Sequence, residues 1–198
     1  PPRPSNAISD DVIDAFDDGT FLAQVKTDGS CCLIFSNGKE FRVMNRHNST
    51  LTNVQIADEL RKLNKSDKWS VLVGEYLNKN KLDENLKPFN HKYIIFDILV
   101  YDNDYLLGKT FTQRQELLDS LYELKEYNFY LDQISENIFR VKNFYSNFHE
   151  LWLKLVKIGV CEGLVFKRKK SPLEVGYALL NNSKSMFKCR KRSKNIKF

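Results

Sequence analysis

A chain of 198 residues is long enough for one ordinary domain with its own buried core, so neither disulfides nor a structural metal are needed to staple it. Its 42% hydrophobic and 28% charged residues exclude a disordered or fibrous chain, and no apolar run approaches the ~18 residues of a membrane helix. The formal charge of +6 is uneven: from Gly163 onward eleven Lys or Arg face the single acid Glu174, so the body is acidic and the basic last fifth suits a polyanionic partner.

Residues 1–7, PPRPSNA, read as a cloning remnant and are set outside the fold, leaving 8–198 as a single domain. Strands are predicted at 21–26 and 31–35, and Ser36-Asn37-Gly38-Lys39 carries the Asn-Gly signal of a tight hairpin into 40–44. Val54, Ala57, Leu60 and Leu63 recur at helical spacing, which predicts a helix over 51–63 capped by Thr52 or Asn53. Residues 69–77 and 93–101 are rich in Val, Ile, Tyr and Phe, the second apolar enough for a central strand covered on both faces. The stretch 78–91, with Asn, Lys, Asp and Pro88, reads as a long loop. Helices are expected at 112–124 and 146–158, the latter capped by Ser146, and strands at 163–168 and 186–190. The pattern describes an α+β domain of antiparallel sheets with flanking helices. Cys31, Cys32, Cys161 and Cys189 form no C-x-x-C pair, and the chain start lacks the features of a signal peptide; free, mostly buried thiols in an intracellular protein are expected.

The sharpest local feature is Lys26-Thr27-Asp28-Gly29, at the end of one strand and the start of the next. A lysine on a rigid strand beside a tight turn serves as a nucleophile when its amine is neutral. Alone, such a tetrapeptide is more often a solvated hairpin turn. It is followed, in order, by Asn45-Arg46-His47-Asn48, Val73-Gly74-Glu75-Tyr76, Ile95-Phe96-Asp97-Ile98, Glu162-Gly163-Leu164-Val165-Phe166-Lys167 and Phe187-Lys188-Cys189-Arg190.

In that order and spacing, from about Gln24 to Arg190, the set resembles the covalent nucleotidyltransferases: ATP-dependent DNA ligases, RNA ligases and mRNA capping guanylyltransferases. The resemblance implies an ATP-grasp-like ligase core in which Lys26 attacks the α-phosphate of a nucleoside triphosphate and holds the nucleotide as a phosphoramidate. It implies Lys188 and Arg190 as partners of that phosphate, Arg190 standing where the family usually has Lys. Glu75 and Glu162 would serve ribose hydroxyls and Mg²⁺ or Mn²⁺, Phe96 would stack on the purine, Gln24 would meet the adenine edge, and Arg46 would hold the ribose region or a nucleic-acid 5′-phosphate. Lys167, Arg168, Lys191 and Arg192 are expected on the nucleic-acid backbone. Taken one by one, these residues also have ordinary structural readings: Phe96 as core, the carboxylates as solvated strand-edge groups, the late cations as a solvent-facing tail. Asp97 is assigned a structural role or none, and Asp28 is left between orienting the turn and phosphate-side chemistry.

Thr27 is similar to capping enzymes, whereas Lys167 at the end of the fourth motif and the lack of Trp and Pro around the fifth favour ligases. Cys31 stands where DNA ligases usually have Arg, and Gly74-Glu75-Tyr76-Leu77 resembles RNA ligases, so DNA and RNA both stay open as substrate. Only eight residues follow Arg190, which leaves no room for an OB-fold domain, and slow self-nucleotidylation is the expected consequence. The expectation is a monomeric ATP-dependent ligase core acting on nicked or broken DNA or RNA, in DNA repair or RNA ligation. A lysyl-GMP-forming capping enzyme and an inactive nucleic-acid-binding module are the alternatives. The high Asn, Lys and Phe content fits an AT-rich genome such as that of a virus or phage.

Overall fold

The computed structural model describes residues 1–78, 81–174 and 182–191. Two sheets face each other, and each has one face on a hydrophobic core and the other on a shared cleft.

The smaller sheet has the order β1 (Arg3–Ile8), β12 (Asn182–Arg190), β11 (Gly163–Arg168), β2 (Phe21–Lys26). Its alternation is strict. Ala23, Val25, Leu164, Phe166 and Cys189 point into a core shared with α3 (Phe148–Ile158) and a 3-10 helix at Asp10–Phe16. The alternate residues of β2, β11 and β12 form the opposite face, where Gln24, Lys26, Lys167, Lys188 and Arg190 stand beside Leu22, Val165 and Met186.

The larger sheet runs β4 (Phe41–Asn45), β3 (Ser30–Ser36), β5 (Ser70–Leu77), β6 (Lys92–Tyr101), β10 (Ile138–Val141), β9 (Leu131–Gln133), β8 (Lys125–Glu126), with β7 (Asp104–Tyr105) also on β6. Ile34, Val43, Leu72, Ile95 and Ile98 pack with α1 (Ala57–Arg61) and α2 (Phe111–Leu121) through Leu60 and Leu118. β6 is central as expected, lying between β5 and β10. Most pairings are antiparallel; β1 with β12 and β6 with β10 are parallel.

Several expectations need correction. Residues 3–7, set outside the fold, belong to β1, which pairs with the last described strand from Arg3 to Ile8. The helix over 51–63 shrinks to Ala57–Arg61 because Leu51 N–H donates to Val43 O at 2.8 Å and the chain first runs beside β4; Thr52 and Asn53 cap nothing. For α3 the cap is not Ser146. Asp17 Oδ2 accepts from the N–H groups of Asn147 (2.7 Å) and Phe148 (3.3 Å), a capping carboxylate from 130 residues away. By contrast α2 has the reciprocal cap of a local motif, Gln113 N–H to Thr110 Oγ1 at 3.2 Å and Thr110 N–H to Gln113 Oε1 at 2.9 Å. The hairpin at Asn37-Gly38 is present, with Asn37 Oδ1 accepting from Lys39 and Glu40 N–H. All four cysteines are free, and no helix among the described residues is long and apolar enough to cross a membrane.

Candidate active site

The cleft between the sheets encloses about 1180 Å³, somewhat larger than ordinary small-molecule sites. One wall is the Lys26 face of the smaller sheet. Gln24 lies opposite Val165, which lies opposite Lys188; Lys26 lies opposite Gly163, which lies opposite Arg190. Because side chains alternate with period two, this register puts Gln24, Lys26, Lys188 and Arg190 on one face. The other wall comes from the larger sheet, where Cys31, Leu33, Val73, Glu75 and Phe96 line the cleft.

Lys26 is anchored by Glu162. Their side chains form an ion pair, Arg190 Nε reaches the same Glu162 Oε2 at 3.3 Å, and Glu162 N–H donates to Lys26 O at 2.8 Å. Gly163 makes this closeness possible: its φ is +149°, and a Cβ there would run into the carbonyl oxygen of Cys189 on the next strand. Gly29 closes the Lys26 turn in the same way, packed on Tyr76 O, while its N–H donates to Glu75 Oε1 at 3.1 Å. Asp28 pairs with Lys81 from the 78–91 loop, which lowers its pKa.

Burial, and then the charges of Arg190, Lys26 and Arg3, hold the Lys188 ammonium below its ordinary value. This electropositive wall suits phosphate oxygens. Facing it, the Glu75 carboxyl is pushed up to about 7, mainly by burial, with Glu162 and Asp28 adding repulsion against the opposing pull of Lys26. No group of three His, Cys, Asp or Glu among the described residues forms a ready metal cage. Glu75 and Glu162 nevertheless fit a hard cation that retains waters, since their mutual repulsion is what such a cation relieves. Cys31, directly opposite Glu75 across β3 and β5, is pushed up to about 11 by burial and stays a thiol.

Phe96 is the extra residue of a bulge in β6: Val73 pairs with Asp97 and Gly74 with Ile95, leaving Phe96 unpaired at the cleft. Asp97 is structural. It is buried and takes a bidentate pair from Arg114 of α2, Nε to Oδ1 at 2.8 Å and Nη2 to Oδ2 at 3.0 Å. Arg46 lines the cleft in the turn after β4, where Asn48 adopts φ +65°, and its Nε donates to His47 Nε2 at 3.1 Å.

Two of the residues expected on a nucleic-acid backbone lie elsewhere. Lys167 is only 4% exposed: it shares the cleft face of β11, its Nζ donates to Gln24 Oε1 at 2.6 Å, and its ammonium lies over the rings of Phe96 and Phe111 at 4.8 and 4.5 Å. Burial pushes it down to about 7. Lys191 turns toward the end of α3, donating to Leu155 O at 3.4 Å, where a cation meets the negative helix end. Arg168 is exposed and rests its guanidinium on Phe21 at 4.6 Å. Arg192 lies outside the described residues.

Sequence reasoning missed a buried amide network below the cleft. Gln24 Nε2 donates to Gln115 Oε1 (3.0 Å) and Asn143 Oδ1 (2.7 Å); Gln115 Oε1 also accepts from Arg140 Nη2 (2.8 Å), and Gln115 Nε2 donates to Phe96 O (3.3 Å). The available signals were weak: a glutamine on the inner face of α2, and an arginine in an apolar run.

The RNA ligase family model matches residues 19–190. The ligase domain of LigD from M. tuberculosis superposes with a TM-score of 0.67 at 20% identity, covering 96% of this chain and 59% of that one. A mycobacterial DNA ligase D complexed with ATP and MES gives 0.65 at 20%, covering 96% and 60%. An archaeal ATP-dependent RNA ligase gives 0.55 at 13%, covering 96% and 48%. The chain thus spans at most about three-fifths of each of these neighbours. No curated protein sequence matches it. The two-sheet architecture is that of a ligase nucleotidyltransferase core, with no OB-fold domain among the described residues. The extent of the family match and this shared fold together establish that the chain belongs to the RNA ligase family, within the covalent nucleotidyltransferases.

Proposed function

We infer that the domain is the adenylylating core of an ATP-dependent polynucleotide ligase. The observation that carries this reading is the convergence of Lys26, Glu162, Arg190 and Lys188 on one sheet face, opposite Glu75 and Phe96.

The chemistry follows from that arrangement. Phe96 offers an aromatic face to the base, and Gln24 lies at the deep end of the same wall. Glu162 holds the Lys26 amine at the α-phosphate position; once deprotonated, its nitrogen attacks phosphorus, a P–N bond forms, and the bond to pyrophosphate breaks. Lys188 and Arg190 meet the charge that builds on the phosphate oxygens. Mg²⁺ or Mn²⁺, held through Glu75 and Glu162, would neutralise phosphate charge. The AMP then passes from Lys26 to a 5′-phosphate of nicked or broken DNA or RNA, and an adjacent 3′-OH displaces it. Arg46, an exposed residue of the cleft lining, would hold the ribose region or meet that 5′-phosphate.

Incubation with Mg²⁺ and α-labelled ATP or GTP tests the reading. Label from ATP that survives denaturing gels and disappears in Lys26→Ala is the expected result. Label from GTP alone would indicate capping chemistry, and label persisting in Lys26→Ala would refute the nucleophile.

A further inference from the structure

The amide of Gln24 has a fixed polarity while Lys167 is an ammonium, since that ammonium and the Arg140 guanidinium can only donate. Lys167 gives its proton to Gln24 Oε1, so that end must be the carbonyl. At the far end Arg140 donates to Gln115 Oε1, so Gln115 must turn a carbonyl oxygen toward Gln24, and Gln24 Nε2 meets it as a donor. Asn143 Oδ1 takes the second Nε2 proton. Both N–H groups are consumed, and the only capacity left on Gln24 is the second lone pair of Oε1.

Gln24 lines the cleft from β2, and Lys167 joins it to the ring of Phe96 that lines the same cleft. A base against Phe96 therefore meets an acceptor. An exocyclic amine satisfies it; a carbonyl oxygen in the same place would set two acceptors against each other in a buried site.

We propose that Lys167 is a positioning residue for nucleobase selection: by locking the Gln24 amide with its oxygen toward the base, it makes the cleft accept a 6-amino purine and reject a 6-oxo purine. The lysine never touches the nucleotide. Its cost is an ammonium buried between Phe96 and Phe111, which cation–π contacts offset in part. The proposal rests on reading the cleft as the nucleotide site.

The test compares equilibrium binding of ATP and ITP, which differ at the 6-position, in a Lys26→Ala background that blocks chemistry. Wild-type selectivity should favour ATP by about tenfold or more. Lys167→Met should lower the ratio, because only the Gln115 end then opposes reversal of the amide. Lys167→Gln, gentler on folding, should lower it too, since a glutamine both donates and accepts. Lys167→Arg, which keeps a donor-only cation, should retain it. Weaker binding of both nucleotides at an unchanged ratio in Lys167→Met and Lys167→Gln would make the lysine merely structural and overturn the proposal. Equal affinity of the unaltered Lys167 protein for ATP and ITP would overturn it as well. Neither result touches the ligase reading, which stands or falls on covalent label from ATP at Lys26 in the otherwise unaltered protein.

Discussion

Lys26 and Glu162 are joined twice, by a backbone hydrogen bond of 2.8 Å from Glu162 N–H to Lys26 O and by an ion pair between their side chains. The backbone bond fixes where the carboxylate stands, and the ion pair fixes where the amine points. Glu162→Gln should therefore act on chemistry far more than on folding. Adduct formation is expected to fall about 10²-fold, by analogy with the loss of one preorganised polar contact, while stability changes by no more than about 1 kcal/mol because the pair is partly solvated. Rates of labelling alongside urea denaturation check both halves.

Gly163→Ala should be severe. The added methyl would meet the carbonyl of Cys189, and the φ of +149° is one that only glycine adopts readily. A loss of about 3 kcal/mol or more is expected, lowering the melting temperature by roughly 6–12 °C for a domain of this size. Thermal unfolding followed by circular dichroism measures it.

Glu75 makes stability depend on pH. Its folded-state pKa is raised to about 7, so the folded protein holds this proton more tightly than the unfolded chain does. The sign follows: the contribution is fully present below the ordinary carboxylate range and is lost as pH rises through about 7. At about 1.4 kcal/mol per pKa unit, the effect is of order 3–4 kcal/mol. Glu75→Gln should remove this slope, so that the variant gains stability relative to the parent at pH 8 but not at pH 4. Urea titrations at the two values decide it.

Asp97→Asn should destabilise by about 3–5 kcal/mol, because it leaves the buried Arg114 without its bidentate partner. Adding Arg114→Met should recover part of the loss, since no uncompensated charge then remains. Denaturant unfolding of the single and double variants supplies the cycle.

The nucleophile turn, the order of the motifs and the spans of β2 and β11 were legible in the sequence, since each rests on local signals: alternation, turn glycines and the spacing of charged residues along a strand. So was the placement of Lys188 and Arg190 on one strand face. Long-range register was not. Nothing local says that Gly163 sits between Lys26 and Arg190, that Asp17 caps α3, or that residues 3–8 close the smaller sheet. Lys167 shows the difference most directly. From sequence it is one of eleven cations in a basic end, and solvent exposure is the ordinary fate of such a residue. Only the pairing of β11 between β2 and β12, with Phe96 bulged out of the opposite sheet and Phe111 brought in by α2, encloses its ammonium beside Gln24. Composition determined that the chain carries a strongly basic end. Tertiary structure decided which of the cations among the described residues face solvent and which are spent inside, because burial is a property of the assembled sheets and not of any segment within them.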